Sequence, residues 1–219
     1  MSTPKGRLRD NRSVTQDQKV SFSGTIAVVK ARIKLLRSFD QIPTHQYQGY
    51  TLVVKGELGG EAGETRVAVG PKAHEKFKFQ IGDEVSGKAV PISNPKQEWS
   101  QYYKTSAIKV VSHGERTEPN PDGGLAPMLP EYRKNGHLRL SKTTANNKCT
   151  KCPWGLLMTT EMTIDQWAPS TKKYRIESHC YGPRDCPNYK PGKPYIVPGR
   201  KDWMKYEDDD YERFMSGEY

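Results

Sequence analysis

From residue 19 to about residue 112, apolar and polar positions alternate with period two, the signature of strands that bury one face. The first strand is predicted over residues 20–36, with Val29, Ala31, Ile33 and Leu35 on one face and Lys30, Arg32 and Lys34 on the other. Ile26 and Val28 fall out of phase with that set. A bulge near Val28 and Val29 is needed to keep both apolar groups inward. A second strand over 50–58 places Leu52, Val54 and Leu58 inside and Lys55 and Glu57 outside. The glycine-rich stretch 59–63 makes a turn, and residues 64–69 form a short third strand. Pro71–Phe77 is predicted as a helix with proline in its first turn. A turn and fourth strand follow over 81–90, and a fifth over 105–111 turns Ile108 and Val110 inward.

Three strands, a helix and two strands resemble the OB-fold, the five-stranded Greek-key barrel with a helix between strands 3 and 4. The likeness rests on the long bulged first strand, the helix position and the Gly82-Asp83 turn entering the fourth strand. The predicted fold class is mainly β: a small five-stranded OB-like barrel at 19–113 and a C-terminal four-cysteine module at 135–200. Residues 1–18 read as a flexible basic lead, 114–134 as a Pro/Gly-rich linker and 201–219 as a tail.

All four cysteines lie in the second module: Cys149 and Cys152 as C-x2-C, then Cys180 and Cys186 as C-x5-C. A C-x2-C turn aims two thiolates at one ion, and a second pair completes a tetrahedral shell. A hairpin between the pairs, 155–165 and 174–178, makes the module similar to a zinc ribbon, although the x5 spacing departs from the common x2. Its expected core is Trp154, Leu156, Ile164, Trp167, Tyr174 and Ile176. Structural Zn2+ is favoured over an iron–sulfur cluster, whose spacings are more compact, and over disulfides, which a reducing compartment does not maintain. His179, beside Cys180, could replace one thiolate but is read as a solvent-facing strand residue, and His137 as too isolated to be a ligand. A shell of four protein ligands has no open position for a substrate.

Charge sharpens the picture. The chain of 219 residues carries a net charge of +10, but residues 201–219 hold seven acids against three bases, so the first 200 carry about +14. A basic body points to a polyanionic partner. OB barrels bind across strands 2 and 3 and through the loops joining strands 1–2 and 4–5. Here the first loop, 38–49, contains Phe39, His45 and Tyr47. The second, 93–104, interleaves Trp99, Tyr102 and Tyr103 with Lys96 and Lys104. Rings that stack bases and cations that track phosphates are what a single strand requires. Lys30, Arg32, Lys34, Lys55 and Arg66 would extend a basic track on the outward faces.

The tail alternates acids with Trp203, Tyr206, Tyr211 and Phe214, a composition suited to docking a protein partner or covering the basic face. Phosphate-binding, nucleophile-elbow, zinc-protease and dinucleotide motifs are all lacking, so the reading is non-enzymatic. With no long apolar run and no apolar leader, a soluble cytoplasmic protein without membrane contact is expected. The expected function is binding of single-stranded DNA or RNA with low sequence specificity. The alternative is a scaffold subunit that uses barrel and ribbon to dock proteins.

Overall fold

A computed structural model describes residues 18–38, 44–115, 124–195 and 197. The basic lead (residues 1–17), Phe39 and the acidic tail lie outside them.

The chain is mainly β, with eight strands in one sheet. Five of them curl into a partial ring: β1 (Val20–Arg37), β2 (Thr44–Leu58), β3 (Glu61–Val69), β4 (Glu84–Pro91) and β5 (Tyr102–Ser112). Around the ring β1 pairs with β2, β2 with β3, β3 with β5, β5 with β4, and β4 again with β1. All these pairings are antiparallel except β3–β5, which is parallel and rests on the single pair Val67–Tyr102. The helix α1 (Pro71–Phe77) lies between β3 and β4 in sequence, as the proline at its start predicts.

A register shift between Ile26 and Val28, one residue before the expected position, turns Ile26 inward, whereas Val28, expected inward, is half-buried and lines a cleft on the outer face. Ile26, Val29, Ala31, Ile33 and Leu35 are consequently all buried. The turn from β2 to β3 needs only Gly59 and Gly60, at φ 60° and 95°. Two successive left-handed residues match the twist of the flanking strands, and glycine adopts them without strain. The β1–β2 ladder extends further than expected: Leu36 pairs with Thr44, so 44–49 belong to β2 rather than to a loop. Tyr102 and Tyr103 likewise start β5.

The rest of the sheet grows from the same first strand. β7 (Gly155–Thr163) pairs in parallel with the C-terminal end of β1, from Lys34–Thr159 to Arg37–Met162. β8 (Lys172–Cys180) pairs with β7, and the short β6 (Leu138–Arg139) with β8. β1 is thus long enough to serve both the ring and the cysteine-bearing hairpin. One apolar cluster runs through both, joining Ile26, Leu52 and Val67 to Tyr132, Leu156, Met158 and Tyr181.

Residues 124–135, in the stretch expected to be linker, pack into that junction. Tyr50 Oη donates to Pro127 O at 2.8 Å, and the helix α2 (Leu129–Asn135) buries Tyr132, whose Oη donates to Pro153 O at 2.9 Å. Trp167 and His179 lie opposite to expectation. Trp167, assigned to the module core, is 88% exposed at the β7–β8 tip, because the hairpin carries its loop away from the sheet. His179, expected to face solvent, is fully buried, because the rings of His137 and Tyr195 pack against it at 5.0 and 5.7 Å. Among the described residues no helix is long and apolar enough to cross a membrane.

Candidate metal centre and nucleic-acid interface

The four thiols are free of disulfides, and Cys149, Cys152 and Cys180 share one buried cluster, with Cys186 half-buried. Local structure brings them there. The helix α3 (Lys142–Asn147) is capped by Ser141, whose side chain accepts from Thr144 N at 3.2 Å, and delivers Cys149 just past its end. Cys152 follows in the turn that enters β7, and Cys180 closes β8. Glycine is required at 155, where a Cβ would come within 2.6 Å of the Cys149 Cβ.

The backbone around the sulfurs is arranged for negative charge. Cys152 accepts N–H bonds from Trp154 and Gly155, and Gly182 N donates to Cys180 Sγ at 3.4 Å. The Cys149–Cys152 hydrogen bond and these amides bring Cys152 down to about 6, whereas the same bond and burial push Cys149 up. Burial raises Cys180 to about 11. Among the described residues, no group of three or more Cys, His, Asp or Glu side chains is assembled in coordinating geometry. The soft donor set and the N–H···S contacts at both cysteine pairs nevertheless fit an ion that prefers thiolate ligands.

Lys30, expected on an outward basic track, is instead buried beneath this cluster. Its Nζ donates to the carbonyls of Cys149, Cys152 and Gly155 at 2.6, 2.5 and 2.7 Å. Burial brings the ammonium down to about 8, against Cys152, Cys149 and Cys180, which hold it up. A single β1 side chain thereby satisfies three carbonyls of the cysteine turn. Period-two reading put Lys30 on the outer face correctly but had no means of showing that the cysteine turn covers that face.

Of the other predicted contacts, Arg32 is ion-paired with Glu98 and Lys34 with Glu161 at 2.6 Å. Glu98 also accepts from the backbone N of Trp99 and Ser100, so it fixes the loop that presents Trp99, a role the sequence did not signal. The Arg66 guanidinium lies 5.3 Å from the Trp99 ring, and Lys55 is exposed on the neighbouring strand, 4.0 Å from Glu64. The Lys104 ammonium sits 5.1 Å from the Tyr103 ring. Lys96 is exposed in a 3-10 turn, Tyr102 is half-buried against the barrel core, and Tyr47 is half-buried beneath the Arg133 guanidinium at 4.9 Å. Trp99, Arg66 and Lys55 form one patch. Arg32, Lys34 and Tyr103 line a second cleft of about 240 Å³.

A buried polar junction also joins the two halves. Arg37 on β1 reaches across β7 to Glu177 on β8, with Nη2 to Oε2 at 2.7 Å, and Arg175 Nε donates to Glu177 Oε1 at 2.6 Å. Burial alone would raise the Glu177 carboxyl, but the Arg37 charge and hydrogen bond hold it below its ordinary value. Beside it, the His137 ring stands 4.3 Å from that of His45 and 5.0 Å from that of His179. Burial brings His45 down to about 4 and His179 to about 3. These histidines are scattered in sequence and meet only because β2, β6 and β8 converge.

Comparison with protein-family models, with curated proteins and with solved structures found no match for the chain.

Proposed function

We propose that this chain is a non-catalytic binding protein for single-stranded nucleic acid, built from an OB-like barrel and a zinc-ribbon-like module. The observation that carries the reading is the patch of Trp99, Arg66 and Lys55, in which an indole and a guanidinium plane meet exposed positive charge. Flat faces stack unpaired bases whatever their sequence, and cations on the flanks follow the phosphates. The ring order 1-2-3-5-4-1 and the helix between β3 and β4 support the OB-like reading. Cys149, Cys152, Cys180 and Cys186 would hold a structural zinc ion, which organises the turns around it and supplies no open position for chemistry.

Fluorescence anisotropy of the full chain with labelled single-stranded DNA, single-stranded RNA and duplex, over a salt series, tests this. Binding of the single strands above the duplex is expected, with log K falling linearly against log salt at about 0.7 per phosphate neutralised. Absence of single-strand binding, with zinc shown present by metal analysis, overturns the reading. The exposed Trp167 at the hairpin tip would then favour the scaffold alternative, since an isolated aromatic of that size anchors protein contacts.

A further inference from the structure

A cleft of about 440 Å³ lies between the outer face of the barrel and the first cysteine turn. Its volume falls within the range of sites that hold small organic groups. Val28, Val53 and Leu157 contribute apolar surface from β1, β2 and β7, and Trp99 lines it from the barrel side. Lys55 from β2 and Lys151 from the cysteine turn, both exposed, bring positive charge; Glu64 is the one acidic group among the described residues lining it.

We propose that this cleft receives one unpaired nucleotide of a bound strand, so that the cysteine turn is half of the binding site. This rests on the single-strand reading above and locates it. The chemistry is complementary on three counts. Apolar floor and indole suit a base ring, the lysines suit the flanking phosphates, and the amide of Asn146 on α3 and the hydroxyl of Thr150 on the turn suit base edges. A base stacked inside a duplex cannot present its ring to such a wall, so the occupant is unpaired. Lys30 makes the cleft composite. By binding the carbonyls of Cys149, Cys152 and Gly155 from below, it sets the height of the turn over β1 and places a positive charge under the thiolates. The site therefore depends on the ribbon being folded and docked, even though its aromatic and most of its apolar floor belong to the barrel.

The test uses the full zinc-loaded chain and a fluorescein-labelled oligo(dT) strand. Lys151→Glu and Lys55→Glu are each expected to weaken binding about tenfold, the size of a lost phosphate contact compounded by repulsion. Lys109→Glu, at a separate cleft lined by Lys19 and Lys88, should stay within twofold of the parent. Zinc content and circular dichroism equal to the parent show that each variant is folded. A strand carrying 4-thiouridine, cross-linked by light, is expected to attach to residues 146–157 and to Trp99. If the parent binds tightly but Lys151→Glu binds equally well, or if cross-links fall only on 96–104, the cleft is wrong and the single-strand reading survives. If the parent binds no strand, both fall together.

Discussion

The ring and the cysteine-bearing hairpin share a strand but are held together by different forces. The ring is apolar in the ordinary way: Ile26, Val29, Leu35, Leu52, Val67 and Phe79 are almost fully buried, and their side chains need no partner beyond each other. The hairpin half adds to its apolar residues a set of polar groups removed from water: the thiols of Cys149, Cys152 and Cys180, the Lys30 ammonium, the Arg37–Glu177 pair, His137 and His179. A buried apolar group tolerates small losses of contact, whereas a buried charge that loses its partner is left to bear its desolvation cost. The two halves should accordingly respond very differently to single changes.

The largest difference should come from the thiols. On the proposed zinc reading, treatment with a strong chelator, or substituting Cys152→Ser, is expected to unfold the cysteine-bearing hairpin and leave ring strands protected. Structural zinc sites contribute on the order of 10 kcal/mol to folding. Hydrogen exchange read by mass spectrometry checks this: loss of protection in β7 and β8 with retention in β2 to β4 is the expected outcome, and uniform loss would show the two halves fold as one.

Next in size is Glu177→Gln, which leaves Arg37 and Arg175 facing a neutral amide inside the sheet. A cost of about 3–5 kcal/mol is expected from breaking a buried pair on one side. Denaturant unfolding measures it, and a change under 1 kcal/mol would mean the junction does not stabilise the fold. Lys30→Met keeps the stem but strips three carbonyls of their donor. A loss of about 2–4 kcal/mol is expected, together with weaker metal retention, since each orphaned carbonyl costs roughly 1 kcal/mol or more.

Acid should act through the histidines. His45 and His179 titrate near 4 and 3 in the folded state, below the ordinary value of about 6.5 they recover on unfolding. Their contribution to stability is therefore complete above pH 6.5 and is lost as pH falls through that window. The loss is about 1.4 kcal/mol per pH unit for each histidine. Thermal unfolding from pH 7.5 to 4.5 follows it, and His179→Gln should flatten the slope. Smallest of all is Trp167→Ser at the exposed tip, expected to change stability by less than about 0.5 kcal/mol. A larger loss would place the indole against part of the chain.

Much of the ring was legible in the residue pattern. Period-two alternation located all five strands, and the phase break at Val28 demanded the bulge that the register shift provides. Gly59-Gly60 marked the turn, and Pro71 the helix start. What misled was the assumption that an outward face stays outward. Lys30 alternates faithfully with Val29 and Ala31, yet the cysteine turn lies over it. His179 alternates on β8, yet the rings of His137 and Tyr195 close over it.

The face that most strand residues take, the places where the chain turns and the two close pairs of cysteines were all legible along the chain, because these depend on neighbours within a few residues. Contacts across the fold set the rest: β1 is shared between the ring and the cysteine-bearing hairpin, Lys30 caps the cysteine turn, Arg37 meets Glu177 and three distant histidines form one nest. Those contacts join residues tens to more than a hundred positions apart. They follow from a parallel pairing, β1 with β7, whose geometry no local pattern of polar and apolar residues records.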